Sequence, residues 1–77
     1  MWEWDCSAPG RSGGGACDDE QGAREAAEAW MRDNHGTGGR AAPVDLDAME
    51  SGYVPAGAAI EAAKERDDRI TWQPAAP

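Results

Sequence analysis

The hydrophobic and polar positions of this chain fall into four readable stretches separated by turn-forming residues. Between Met1 and Cys6, Trp2, Trp4 and Cys6 alternate with Glu3 and Asp5. Period-two spacing with β-preferring indoles predicts a half-buried strand over about 1–6. Ser7 to Gly15 (SAPGRSGGG) reads as a Pro/Gly/Ser loop without packing content, and Ala16-Cys17 as a short return strand closing a loose hairpin.

From Gln21 to Asn34 the period changes to that of a helix. Ala23, Ala26, Ala27, Trp30 and Met31 share one face, while Glu20, Arg24, Glu28 and Arg32 recur every fourth residue with alternating sign. Asp18 or Asp19 supplies the cap, with Gln21 three residues after Asp18, and Asn34 and Gly36 supply the stop. The apolar face is mostly alanine, so another element can approach it closely, with Trp30 as anchor.

After a flexible GTGGRAA connection, a short helix is expected over Leu46 to Glu50, followed by the apolar pair Tyr53-Val54. Pro55 suits the first turn of a second long helix, 55–67, with Ala56, Ala59, Ile60 and Ala63 inward. Gly57 weakens that helix by up to about 1 kcal/mol relative to alanine. Ile70 to Gln73 alternates again and reads as a strand, and 74–77 as a frayed tail. The expectation is a single α+β domain over 1–73. Terminal strands 1–6 and 70–73, with a possible short strand at 16–17, pair in one small sheet covered by helices 21–34 and 55–67.

Composition sharpens the picture. In 77 residues, Leu, Ile, Val and Phe contribute only Val44, Leu46, Val54, Ile60 and Ile70, and the net charge is −8. Such a balance is typical of disordered chains. Four Trp and one Tyr oppose it, because aromatic rings bury large areas per residue. A core this small calls for help from a disulfide, a metal or a second subunit.

The charge excludes functions as well. So acidic a chain lacks the electrostatic footprint of a nucleic-acid binder. No apolar run approaches the length of a membrane span. The opening MWEWD has neither a basic nor an apolar region of a signal peptide, so a cytoplasmic protein is expected. The Ala/Gly/Asp/Arg-heavy composition suits a GC-rich bacterial or phage source.

Candidate chemistry is sparse. Cys6 and Cys17 flank the first loop; reduced thiols, a disulfide and a metal site are all open to them. With His35 and Asp18 they make a chemically allowed zinc set, although no C-x2-C exists and His35 is the sole histidine. In outline alone, a cysteine-bearing hairpin followed by a helix ending at His35 is similar to the ββα layout of small zinc fingers. A degenerate, metal-stapled module of that type is the alternative reading, with zinc its one candidate cofactor.

Asp18-Asp19-Glu20 is explained by a helix start, and Asp45-x-Asp47-x-x-Glu50 lacks the spacing of a calcium loop. The glycine runs match no phosphate-binding fingerprint, and no Gly-x-Ser-x-Gly elbow is present. The leading expectation is a small acidic, non-enzymatic interaction module. It binds a basic protein partner or self-associates as a homodimer, with Trp2, Trp72 and Tyr53 as aromatic anchors. The acids are spread along the chain, eight against four bases in 1–40 and seven against three in 41–77, so general solubility is the plain counter-reading.

Overall fold

The computed structural model describes residues 1–45, 54–55 and 57–75. The order is β1 (Trp2–Ala8), β2 (Arg11–Cys17), α1 (Glu20–Asn34), β3 (Gly38–Asp45), β4 (Val54–Pro55), β5 (Ile60–Lys64) and β6 (Ile70–Pro74). The strands form one antiparallel sheet in the order β2-β1-β3-β5-β6, and β4 pairs with the far end of β3. The chain is α+β, with one long helix among the described residues. The short helix expected over Leu46 to Glu50, and Tyr53, lie outside the described residues.

The helix follows its sequence signals closely. Asp19 is the cap, its carboxylate accepting from the Gly22 N–H at 2.7 Å. At the other end His35 turns left-handed at φ 54°, and the N–H groups of His35 and Gly36 both reach the Met31 carbonyl. Ala23, Ala27 and Met31 are fully buried, four residues apart, as the apolar stripe requires.

The GTGGRAA connection becomes strand from Gly38 onward, Pro74 of the expected tail belongs to β6, and three larger expectations are corrected. Residues 11–15, read as loop, are strand: β1 and β2 pair from Trp2↔Cys17 to Ala8↔Arg11 across a two-residue Pro9-Gly10 turn. Their glycines have a packing function. A Cβ on Gly13 would lie 2.1 Å from the Trp30 indole nitrogen, and one on Gly15 would lie 3.0 Å from that of Trp4. Absent side chains on β2 therefore make the floor on which two indoles rest.

The second correction concerns 55–67, which is not a helix. Ile60–Lys64 is a strand joined to β6 by a turn in which Asp68 takes φ 65° and Glu65 N–H bonds the Arg69 carbonyl at 2.7 Å. Alanine favours helix only by propensity, and β3 needs a partner for backbone groups on the side that β1 leaves free. Gly38 to Ala41 of β3 find that partner in Ala63 to Ile60. Third, the terminal strands share a sheet without touching: β1 lies inside it, and β3 and β5 separate it from β6.

Residues of one parity point at α1. Cys6, Ala27, Met31 and Ala62 make the buried cluster, with Trp4, Trp30, Ile70 and Trp72 packed around it. Alanines on α1, β3 and β5 let helix and sheet come close, and the indoles fill the edges.

Candidate functional site

Strand alternation divides every side chain of the sheet between two faces. Cys6 and Ala62 of the core fix the parity: Trp2, Trp4 and Cys6 face the helix, and Glu3, Asp5 and Ser7 face away. The pairing registers extend this across the sheet. One row on the far face runs Gly14, Asp5, Arg40, Glu61 and Gln73, strand by strand. A second runs Ser12, Ser7, Gly38, Ala63 and Thr71.

Asp5, Arg40, Glu61 and Gln73 are all exposed, and no described helix crosses this side of the sheet. Together with Glu3 the two rows hold three carboxylates against the single Arg40 guanidinium. Arg40 stands cross-strand between Asp5 and Glu61, so the signs alternate along the row. Beside it a shallow depression of about 300 Å³ is lined by Glu61, Ala63, Glu65, Thr71, Gln73 and neighbours; Thr71 there bonds Glu65 at 3.2 Å. The site is shallow, exposed and acid-rich, suited to holding extended basic polar groups.

A second hollow, about 240 Å³, lies between the last turn of α1 and the β5–β6 turn, lined by Met31, Arg32, His35, Lys64, Asp68 and Ile70. Its two strong cations are already matched, Arg32 to Glu28 and Lys64 to Asp68, both at 3.2 Å. It offers little net charge to a ligand.

The anchors expected from sequence are placed differently. Trp72 is half-buried on the helix side, its indole nitrogen donating to Glu28 at 3.2 Å with the Arg24 guanidinium 5.6 Å from its ring centroid. It fastens α1 to β6. Trp2, also half-buried, lies between Cys17 and Pro43 in register. Tyr53 is outside the described residues.

Cys6, Cys17, His35 and Asp18 are not brought together. Buried Cys6 donates its thiol to the Ala27 carbonyl at 3.5 Å, beside the middle of α1. Cys17 pairs with Trp2, four positions along β1 from Cys6, a separation of about 13 Å at strand rise. Both are free thiols, too far apart for a disulfide. Asp18 precedes the helix and His35 follows it, so their separation is about the helix length of roughly 22 Å. Among the described residues no group of three or more His, Cys, Asp or Glu side chains is placed to hold a metal ion.

Burial, and secondarily the Asp5 charge, push the Cys6 thiol up to about 11, which makes it inert at neutral pH. The far-face residues went unnoticed in the sequence because 38–42 read as a flexible connection and 60–64 as helix. Their signal was alternation: Glu61 between Ile60 and Ala62, and Arg40 between Gly39 and Ala41. No family model matches this chain, and neither does any curated protein or solved structure. No described helix is long and apolar enough to cross a membrane.

Proposed function

We propose that this protein is a small, non-enzymatic interaction module that holds a basic partner protein against the open face of its sheet. The observation that supports it best is the Asp5-Arg40-Glu61-Gln73 row, exposed on the side away from α1, with half-buried Glu3 and buried Ala42 bounding it on the same face. The net charge of −8 adds long-range attraction for a basic protein, and Arg40 in the middle of the row sets register for an acidic group on that partner. The aromatic anchoring once assigned to Trp72 passes to the interior, where this indole joins helix to strand.

Titration of isotopically labelled protein with a synthetic Lys/Arg-rich peptide tests the reading. Amide shifts should concentrate at Asp5, Arg40, Glu61 and Gln73 and weaken with salt, and an acidic peptide of equal length should leave them unmoved. Reversing Asp5 and Glu61 to lysine should lower affinity by about tenfold or more, the effect of replacing attraction by repulsion at two positions. Shifts confined to the helix side, or affinity indifferent to both reversals, would refute it.

A further inference from the structure

The sheet has two edges, and they are finished differently. At β6, the Glu65–Arg69 and Ala59–Ala75 bonds fix the alternation, so Thr71 and Gln73 bond β5 while Ile70, Trp72 and Pro74 direct their backbone outward. Proline has no N–H, so the last of these positions cannot donate.

At β2 the two-residue turn makes Ala8↔Arg11 a hydrogen-bonded pair, and bonded pairs then recur at Gly13, Gly15 and Cys17. Ser12, Gly14 and Ala16 are left with N–H and C=O pointing away from the sheet, on its terminal strand. Along the strand itself no proline, no lysine and no bulge interrupts the seven paired residues, and no described element covers them.

Charge identifies what fits there. In a chain with 15 acids, Ala8 to Cys17 contains none, and its one charged side chain is Arg11. Immediately after it come Asp18, Asp19 and Glu20. We infer that β2 pairs antiparallel with β2 of a second copy of this chain about a two-fold axis at Gly14, joining two sheets into one. This register alone matches all three outward residues: Gly14 with Gly14, and Ser12 with Ala16 in both directions, six backbone hydrogen bonds at two per pair. It also sets Arg11 of each copy opposite Cys17 of the other, beside the other's Asp18 and Asp19. Arg11 spends one nitrogen on Asn34 Oδ1 at 3.1 Å and keeps further donors for that contact. Charge complementarity at both ends and an acid-free middle favour a second copy over a basic partner strand. The inference is independent of the far-face reading.

Sedimentation equilibrium of the whole chain from micromolar to millimolar concentration, with amide exchange followed on the same samples, tests it. A monomer–dimer equilibrium is expected, in which protection at Ser12, Gly14 and Ala16 rises with concentration while Gly13 and Gly15 are protected throughout. Ser12→Pro removes a donor that β1 does not use, in two places per dimer. It should raise the dimer Kd by at least about tenfold, the equivalent of a pair of modest hydrogen bonds. Arg11→Glu should weaken the dimer, and Asp18→Lys added to it should restore association.

A chain monomeric at millimolar concentration overturns the inference. So does a dimer that persists while the three amides exchange freely, a result that needs no variant to fold. If the basic peptide protects those amides in a monomer, the edge belongs to a foreign strand and self-pairing is refuted. That result is distinct from failure of the far-face reading, which is read at Asp5 and Glu61.

Discussion

Gly13 is the position where the fold leaves least room, and adding one methyl group there is a sharp test of how the sheet is held. In Gly13→Ala the new carbon meets Trp30 Nε1 at 2.1 Å, Cε2 at 2.6 Å and Cδ1 at 2.8 Å. Carbon contacts settle near 3.5–4.0 Å, so the indole must retreat by roughly 1.5 Å. Overpacking of this kind costs about 1–3 kcal/mol, against a gain of about 0.4–1 kcal/mol from a less flexible unfolded chain. The net expectation is a loss of about 1–2 kcal/mol, a sizeable part of the roughly 4–12 kcal/mol that a domain this size holds.

Urea unfolding followed by far-ultraviolet circular dichroism measures it without relying on the tryptophan under study. In a Trp30→Ala background the obstacle is gone, and the same substitution should become neutral or slightly stabilising. The coupling between the two sites should then be about 2 kcal/mol, within the range seen for touching residues. Gly38→Ala is the control, because its Cβ meets the Ala62 carbonyl at an ordinary 3.6 Å. Equal effects at Gly13 and Gly38, or a Gly13→Ala cost that survives removal of Trp30, would refute the indole-on-glycine packing.

Other outcomes follow from the same contacts. Met31→Ala empties the largest fully buried side chain among the described residues and should cost about 2–5 kcal/mol by thermal melting. Trp72→Phe keeps a ring but loses the donor to Glu28, and denaturant titration should show a loss of about 1 kcal/mol beyond the change in ring size. At pH 8, mass spectrometry after brief iodoacetamide treatment should find Cys17 alkylated and buried Cys6 untouched. The folded state raises the Cys6 thiol from 9.0 to about 11, so it keeps a proton that the unfolded chain releases. That contribution is complete below pH 9 and fades as pH rises toward 11, and Cys6→Ala should flatten this part of the stability profile relative to the parent.

The helix was legible because local signals sufficed: Asp19 caps it, Ala23, Ala27 and Met31 bury, and the chain turns at His35 before Gly36. Strands at both termini were legible from alternating tryptophans. The glycine strand was not, since Gly13 and Gly15 carry no pattern and acquire meaning only under Trp30 and Trp4, residues far off in sequence or on another strand. Residues 60–64 misled for a related reason. Ala62 and Ala63 suit a helix, and the demand that makes them strand arises in β3, more than twenty residues earlier. The zinc set was a reading of proximity from composition, and proximity is what pairing register decides. The far acidic face was missed with those strands, because Arg40 fell in an expected connection and Glu61 in an expected helix.

The placement of β1 inside the sheet ties it to partners at very different distances along the chain. β1 has neighbours on both flanks, β2 joined to it through a tight turn and β3 only after some thirty further residues. Without β3 and α1 a ribbon bearing Trp2 and Trp4 has half its hydrogen-bonding capacity unspent and its indoles wet. In the finished fold β3 fills that flank, and α1, which packs Trp30 over Gly13, covers the face on which Trp4 lies.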